Sequence, residues 1–235
     1  MALLGKAAMI LSFDIVSEAR CEHDDWHSHE HLPERLAIPG FLRGSRWRAA
    51  PAALPGQLPY FVMYEVADLD VLDSPAYLER LNNPSSWTSK MMTHYRQMNR
   101  GLCRLTASFG HGLGHAALLL RLCPAEGREG ALRDWLVGEY LPRLPDQSGL
   151  ASAHLFESGL EARLTTEQRI RGKDAAVDWV VLVTGFDAGR VGALVADVLS
   201  ANNLGERGVV NVDAGLYQIG HSLTDREAAL PDFSR

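Results

Sequence analysis

The chain resembles itself at a distance of 109 residues. "DWHSHEHLPERLAIPGFLRGSRW", starting at Asp25, lines up with "DWLVGEYLPRLPDQSGLASAHLF", starting at Asp134. At that offset Asp25/Asp134, Trp26/Trp135, Glu30/Glu139, Leu32/Leu141, Pro33/Pro142 and Gly40/Gly149 are identical, and "AAMILSF" (7–13) lies over "AALLLRL" (116–122). "YFVMYEV" (60–66) resembles "DWVVLVT" (178–184) at an offset of 118, and the pair Asn82–Asn83 returns at Asn202–Asn203. A unit repeated in this order predicts one supersecondary pattern built twice. It also removes the opening apolar run as a secretory leader, because residues 7–13 have a counterpart in mid-chain. The copies meet at "SFGHGLGHA", where Gly110, Gly112 and Gly114 predict a flexible joint. Two domains are therefore expected, 1–110 and 111–235.

Within each copy the patterning predicts the same element order. Copy one has a strand near 7–14, a helix from 18 to 32, strands near 40–49 and 59–66, a helix from Ser74 and a strand near 102–109. Copy two has strand 115–122, helix 126–141, strands 149–156 and 177–185, helix 187–201 and strand 209–219. This is β-α-β-β-α-β twice, the split βαβ arrangement. The fold class is α+β. Each four-stranded sheet has helices on one face and leaves the other needing cover, and two such sheets in one chain can cover each other.

Composition narrows the function classes. With 235 residues, 46% hydrophobic and 22% charged, the chain can bury a substantial core. A net charge of −6 without a Lys/Arg run argues against nucleic-acid or anionic-lipid binding. Three scattered cysteines form no CxxC, so a disulfide framework is not expected and a reducing cytoplasm fits. No apolar stretch approaches the roughly 20 residues of a membrane span.

The double β-α-β-β-α-β order, together with "WHSHEHLPERL" followed by "IPGF" after the first strand, resembles the dimeric α/β-barrel superfamily of ferredoxin-like proteins, in its EthD-like branch. The resemblance implies two antiparallel sheets packed as a barrel. Members usually form it from two subunits, and here both halves would lie in one chain, which leaves a homodimer open. The superfamily holds monooxygenases, cyclases, isomerases and haem-binding enzymes, so it does not fix a reaction.

The second copy provides a control for the histidines. Its first helix predicts a buried stripe of Leu132, Trp135, Leu136 and Tyr140, the spacing of a core-facing helix. Subtracting 109 gives His23, Trp26, His27 and His31. Three imidazoles thus occupy positions that the sister helix fills with Leu, Leu and Tyr, whereas His29, Asp24, Asp25 and Ser28 are expected in solvent. Burying an imidazole costs free energy unless its ring nitrogens find partners, so a wet pocket between helix and sheet is expected. A neutral imidazole suits proton transfer near neutral pH. Glu30 and Glu34 could orient a ring. Pro33 and Pro142 would end their helices. The i, i+4 spacing of His27 and His31 is also that of zinc-binding helices, with Glu34 or His23 as a third ligand, but this is not HExxH and no metal is expected.

Strand parity suggests the rest of the site. The faces Met9/Leu11/Phe13 and Cys103/Leu105/Ala107/Phe109 should meet the helices. Mixed faces, with Arg46 and Tyr64, should meet the partner sheet, and Arg46 would need an anion. "PSSWTSKMMTHYRQM" spaces Trp87, Met91, Tyr95 and Met98 as an amphipathic helix that could roof a pocket. The chain is thus read as an enzyme acting on a small, partly apolar, aromatic or ketonic molecule. His27 and His31 would be catalytic, His23, Arg46, Tyr64 and Trp87 would contact substrate, and no cofactor is expected. Two rivals stand: a non-catalytic small-ligand-binding protein, and a barrel whose histidines are incidental.

Overall fold

The computed structural model describes residues 2–160, 164–172 and 174–229. Strand β1 (Ala7–Ile15) leads into helix α1 (Arg20–Trp26), which continues through a single π turn (His27–His31) into α2 (Leu32–Leu36). Strands β2 (Phe41–Ala49) and β3 (Tyr60–Val66) follow, then α3 (Pro75–Asn82), α4 (Ser86–Met92) and the long β4 (Tyr95–Gly110). After the glycine-rich joint come β5 (Ala116–Pro124), α5 (Glu129–Trp135) with its own π turn (Leu136–Tyr140), β6 (Leu150–Leu160) and α6 (Thr166–Arg171). The chain ends with β7 (Ala175–Ala176), β8 (Trp179–Gly185), α7 (Ala188–Ala193), α8 (Ala201–Glu206), β9 (Val209–Thr224) and α9 (Asp225–Ala228).

The strands run in the order β1-β3-β2-β9-β5-β8-β6-β4, and β4 returns to β1. Eight antiparallel strands therefore close into one barrel within the chain. Residues 7–110 contribute β4-β1-β3-β2 and residues 116–224 contribute β9-β5-β8-β6, which is the same order of strands by position in each half. The seams are β2 on β9 and β4 on β6.

Alternation along the strands divides the apolar residues among three cores. Outside the barrel, Met9, Phe13, Val62 and Tyr64 meet α1–α4, and Leu118, Leu120, Val181 and Val183 meet the helices of the second half. The lumen holds Ala8, Ile10, Trp47, Phe61, Met63, Cys103, Phe156 and Leu182, drawn from both halves. It is a filled interior in which polar side chains share the strand faces with apolar ones: Ser12, Ser45, Ser152, His154 and Thr184 are buried on the parity of Ile10, Trp47, Phe156 and Leu182, as the mixed faces predicted. Within it His154 is held by Ser108 and Ser152. Cys103 lies in this lumen, opposite to the side read from parity, and Arg104 is exposed. Leu105 shares the lumen with Cys103, but β4 gains one residue on β6 at Thr106, and beyond this bulge Ala107 and Phe109 face the helices; sequence alone does not reveal the break.

Proline does not end the first helix. Pro33 has no N–H to continue the α ladder, and the π turn just before it shifts the hydrogen bonding so that the helix runs on to Leu36. Pro142 follows the second π turn in the same way, at the start of a short 3₁₀ segment (Leu141–Arg143).

The joint between halves is a close-packed turn, contrary to the flexible link read from its composition. Gly110 has φ +82°, and a Cβ there would lie 2.1 Å from the Ala151 carbonyl oxygen. Gly112 has φ +66° with nothing near it. Gly110→Ala is expected to cost about 1–3 kcal/mol, whereas Gly112→Asn should be nearly neutral because Asn tolerates this conformation. Urea unfolding of the two variants checks the contrast.

Candidate functional site

Helix α1, its π turn and α2 lie across the outer face of β1, β3 and β4, and there the three histidines are buried. His23, His27 and His31 are 0%, 2% and 7% exposed. Their rings form a column, with centroids 5.6 Å apart at each step. Each has a different surrounding. His23 shares a 3.1 Å hydrogen bond through Nε2 with Tyr95 Oη, and its Nδ1 lies 3.3 Å from Asp24 Oδ1. His27 shares a 3.1 Å bond through Nε2 with Tyr64 Oη, while its Nδ1 is buried without a partner among the described residues. The His31 ring lies tilted by 38° against Trp26, centroids 4.3 Å apart, and its Nδ1 is likewise unpartnered among the described residues.

Beneath His27 and His31 lies a cavity of about 30 Å³, room for about two water molecules. Its walls are Met9, Leu11 and Phe13 of β1, Val62 and Tyr64 of β3, and Tyr95, Met98 and Arg100 of β4. Arg35 of α2, Tyr77 and Leu81 of α3 and Met92 of α4 close the sides. The remaining wall comes from the other half of the chain: Thr165, Glu167 and Arg171, in and just before α6.

Electrostatics follow from burial. Burial, then the charges of Arg46 and Arg48, brings His23 down to about 3. Burial also holds His27 well below the usual histidine range, helped by His23 and Arg46, and holds His31 there too, helped by Arg35. All three are neutral at pH 7. Burial pushes the Tyr64 and Tyr95 phenols upward, so both keep their protons. Burial by itself disfavours the charge of Arg35, but Glu167 beside it reverses the effect and raises its pKa.

Of the six residues singled out in the sequence, His27, His31 and Tyr64 line the cavity. Tyr64 does so from the helix side of the sheet, not toward the other sheet. His23 sits behind His27, saturated by its own partners. Arg46 is turned to α1, where it donates to the Asp24 carbonyl and to Ser28 Oγ and pairs with the Asp24 carboxylate. The anion it needs is thus on the helix, and Asp24 is buried rather than solvated. Arg48 pairs with the same carboxylate. Trp87 does not reach the cavity. It is half-buried and donates to Glu22 on α1, while its neighbour Thr88 is the residue of that turn buried against Trp26. Tyr95 and Met98 line the cavity from a strand, not from a helix as their spacing suggested.

Neither glutamate orients an imidazole. Glu30 accepts from Trp26 Nε1, Ser85 Oγ and Thr88 Oγ1 and so fastens α4 to α1, while Glu34 pairs with Arg80. With Glu34 so engaged and His23 saturated, the helical pair gains no third ligand from either. Among the described residues no group of three His, Cys, Asp or Glu is arranged to hold a metal.

Arg35, Arg100, Tyr77, Glu167 and Arg171 were not foreseen. One signal was available. The offset between the similar segments grows from 109 to 118 residues, and the longer stretch, between β6 and β8, carries α6, which borders the cavity.

No protein-family model matches the sequence, and no curated protein matches it. Solved structures share the fold. The chain superposes on an anthrone oxidase-like protein with TM-score 0.68 at 10% identity, covering 99% of each chain. The two share a fold, here a closed barrel of eight antiparallel strands with helices on its outer face. A candidate monooxygenase from Fusobacterium nucleatum subsp. nucleatum gives TM-score 0.59 at 5% identity, covering 94% of this chain and 96% of that one. Chlorite dismutase from Candidatus Nitrospira defluvii, in complex with imidazole, gives 0.56 at 9%, covering 92% and 91%. No helix among the described residues is long and apolar enough to cross a membrane.

Proposed function

We propose that the protein is a small-molecule enzyme of the barrel type, in which His27 takes a proton from a partly apolar aromatic or ketonic substrate and His31 assists. The observation that carries this is His27 itself: neutral, held through Nε2 by Tyr64, and placed on the cavity with an Nδ1 that has no partner among the described residues. A base must be unprotonated to act, and burial guarantees that here. The same burial makes imidazolium unfavourable, so transfer becomes effective only as negative charge develops on the substrate beside it. Arginines around the cavity stabilise such charge. His23 has a positioning role behind His27, and Arg46 fixes the helix that carries both. The EthD-like motif "WHSHEHLPERL" supplies this helix.

Proton removal beside a carbonyl or phenol is the shared opening of isomerisation, cyclisation and cofactor-free oxygenation. The neighbours of the same fold support the class by name, as an anthrone oxidase-like protein and a candidate monooxygenase. Residues 1–110 act in this reading as the working half of a doubled unit and 111–235 as the supporting half, on the strength of the 109-residue offset, the matching strand order and the two π turns.

Anthrone is an aromatic ketone with an acidic CH₂ and serves as probe. In D₂O the protein should accelerate exchange of those hydrogens above the buffer rate, followed by NMR. No acceleration for anthrone or a panel of enolisable aryl ketones, by protein shown to be folded, counts against proton transfer. The second reading, a binding protein without turnover, is favoured by the low basicity that burial gives His27, and it would show ligand binding without exchange.

A further inference from the structure

We infer that the cavity takes the carboxylate of an aromatic acid, seated between Arg35 and Arg100 against Tyr77. The inference rests on the proposed site and names the class of molecule it accepts.

Three guanidinium groups, those of Arg35, Arg100 and Arg171, reach the cavity wall. Two carboxylates answer them. Glu167 accepts from Arg35 at 2.6 Å. Asp174 accepts from Arg171 at 2.6 and 3.1 Å and lies 3.8 Å from Arg100. With the histidines and tyrosines neutral, three cations against two anions among the described residues leave one positive charge at the cavity wall. The hydrogen-bond inventory points the same way. Arg35 Nη1 and Arg100 Nε are buried N–H groups without a partner among the described residues. Arg100 Nη2 donates to Tyr77 Oη at 3.2 Å, and the Arg35 guanidinium lies 5.9 Å from the Tyr77 ring centroid, so the unused donors flank one side chain. Buried N–H donors left unpaired cost free energy, more so on a charged group. A singly charged planar acceptor would answer both the charge and the donors.

Size bears on how it enters. A cavity of about 30 Å³ takes a carboxylate but not an aromatic ring as it stands, and displacement of α6 would give the ring room. That helix is held over the site by Glu167 on Arg35 and by Thr166 N–H donating to Asn82 Oδ1 at 3.1 Å. The ligand's carboxylate therefore competes with Glu167 for Arg35, and Glu167 acts as a built-in stand-in for it.

The test is calorimetric titration of the full chain with benzoate and with its neutral isostere benzamide. Benzoate should bind at least about tenfold more tightly, and Glu167→Gln should tighten benzoate by about a further tenfold, or ~1.4 kcal/mol, while leaving benzamide unchanged. Equal binding of the two probes, no binding of either, or weaker benzoate binding by a folded Glu167→Gln protein overturns the inference. The wild-type comparison decides even if the variant fails to fold. Exchange of the anthrone hydrogens is read separately, so a protein without proton-transfer activity can still pass this test, and an active one can fail it.

Discussion

Replacing His27 with Leu is expected to abolish proton transfer while leaving the fold intact. General-base contributions are typically 10²–10⁴-fold, and a loss of about that size in the exchange rate is the expected readout. The fold should survive because the π turn after α5, which has the same length, opens on Leu136 where this one opens on His27, and Leu136 is fully buried. At pH 7.5 two terms of about 1–3 kcal/mol each oppose one another: Tyr64 loses its partner, and an unpaired buried Nδ1 disappears. Stability should therefore change little. A variant that keeps full exchange activity, or that unfolds, would contradict the role given to His27.

The wild-type protein should lose stability steeply as pH falls from about 6.5 toward 4. Burial brings His23 and His154 down to about 3 and holds His27 and His31 well below their ordinary value of 6.5. In the unfolded chain all four regain that ordinary value. Below it the unfolded state binds protons that the native state refuses, so stability is complete above pH 6.5 and declines beneath it. Each such histidine contributes a slope of about 1.4 kcal/mol per pH unit. Glu34 and Glu65 oppose this, since burial raises their carboxyl pKa values and the native state holds those protons more readily. The histidine term is isolated by comparison with His27→Leu. The variant should gain on the wild type by about 1.4 kcal/mol for each unit below pH 6.5, measured by urea unfolding at pH 7.5, 6 and 5. A difference that does not vary with pH would mean that His27 is accessible to protons in the folded state.

The sequence was informative where a pattern is local or is repeated. The buried stripe His23–Trp26–His27–His31 was legible because Leu132, Trp135, Leu136 and Tyr140 supply the same period with apolar residues. The face Met9/Phe13 was legible because β1 alternates without interruption. Where alternation breaks, the reading broke with it. A bulge at Thr106 put Cys103 and Leu105 on one side of β4 and Ala107 and Phe109 on the other, and an early strand start placed Tyr95 and Met98 on β4. The reach of Pro33 was misjudged because a π turn has no signature in residue type.

By itself, the sequence determined the α+β element order and which helix would carry imidazoles where its counterpart carries Leu and Tyr, since periodicity and the 109-residue offset are properties of the chain alone. Only the tertiary structure decided what surrounds those rings. Arg35, Tyr77, Arg100 and Glu167 lie up to 132 residues apart in sequence, and they converge because closure of eight strands brings α6 of one half over the helix face of the other. Partner choice for a buried charge is a property of that closed geometry, and no local pattern encodes it.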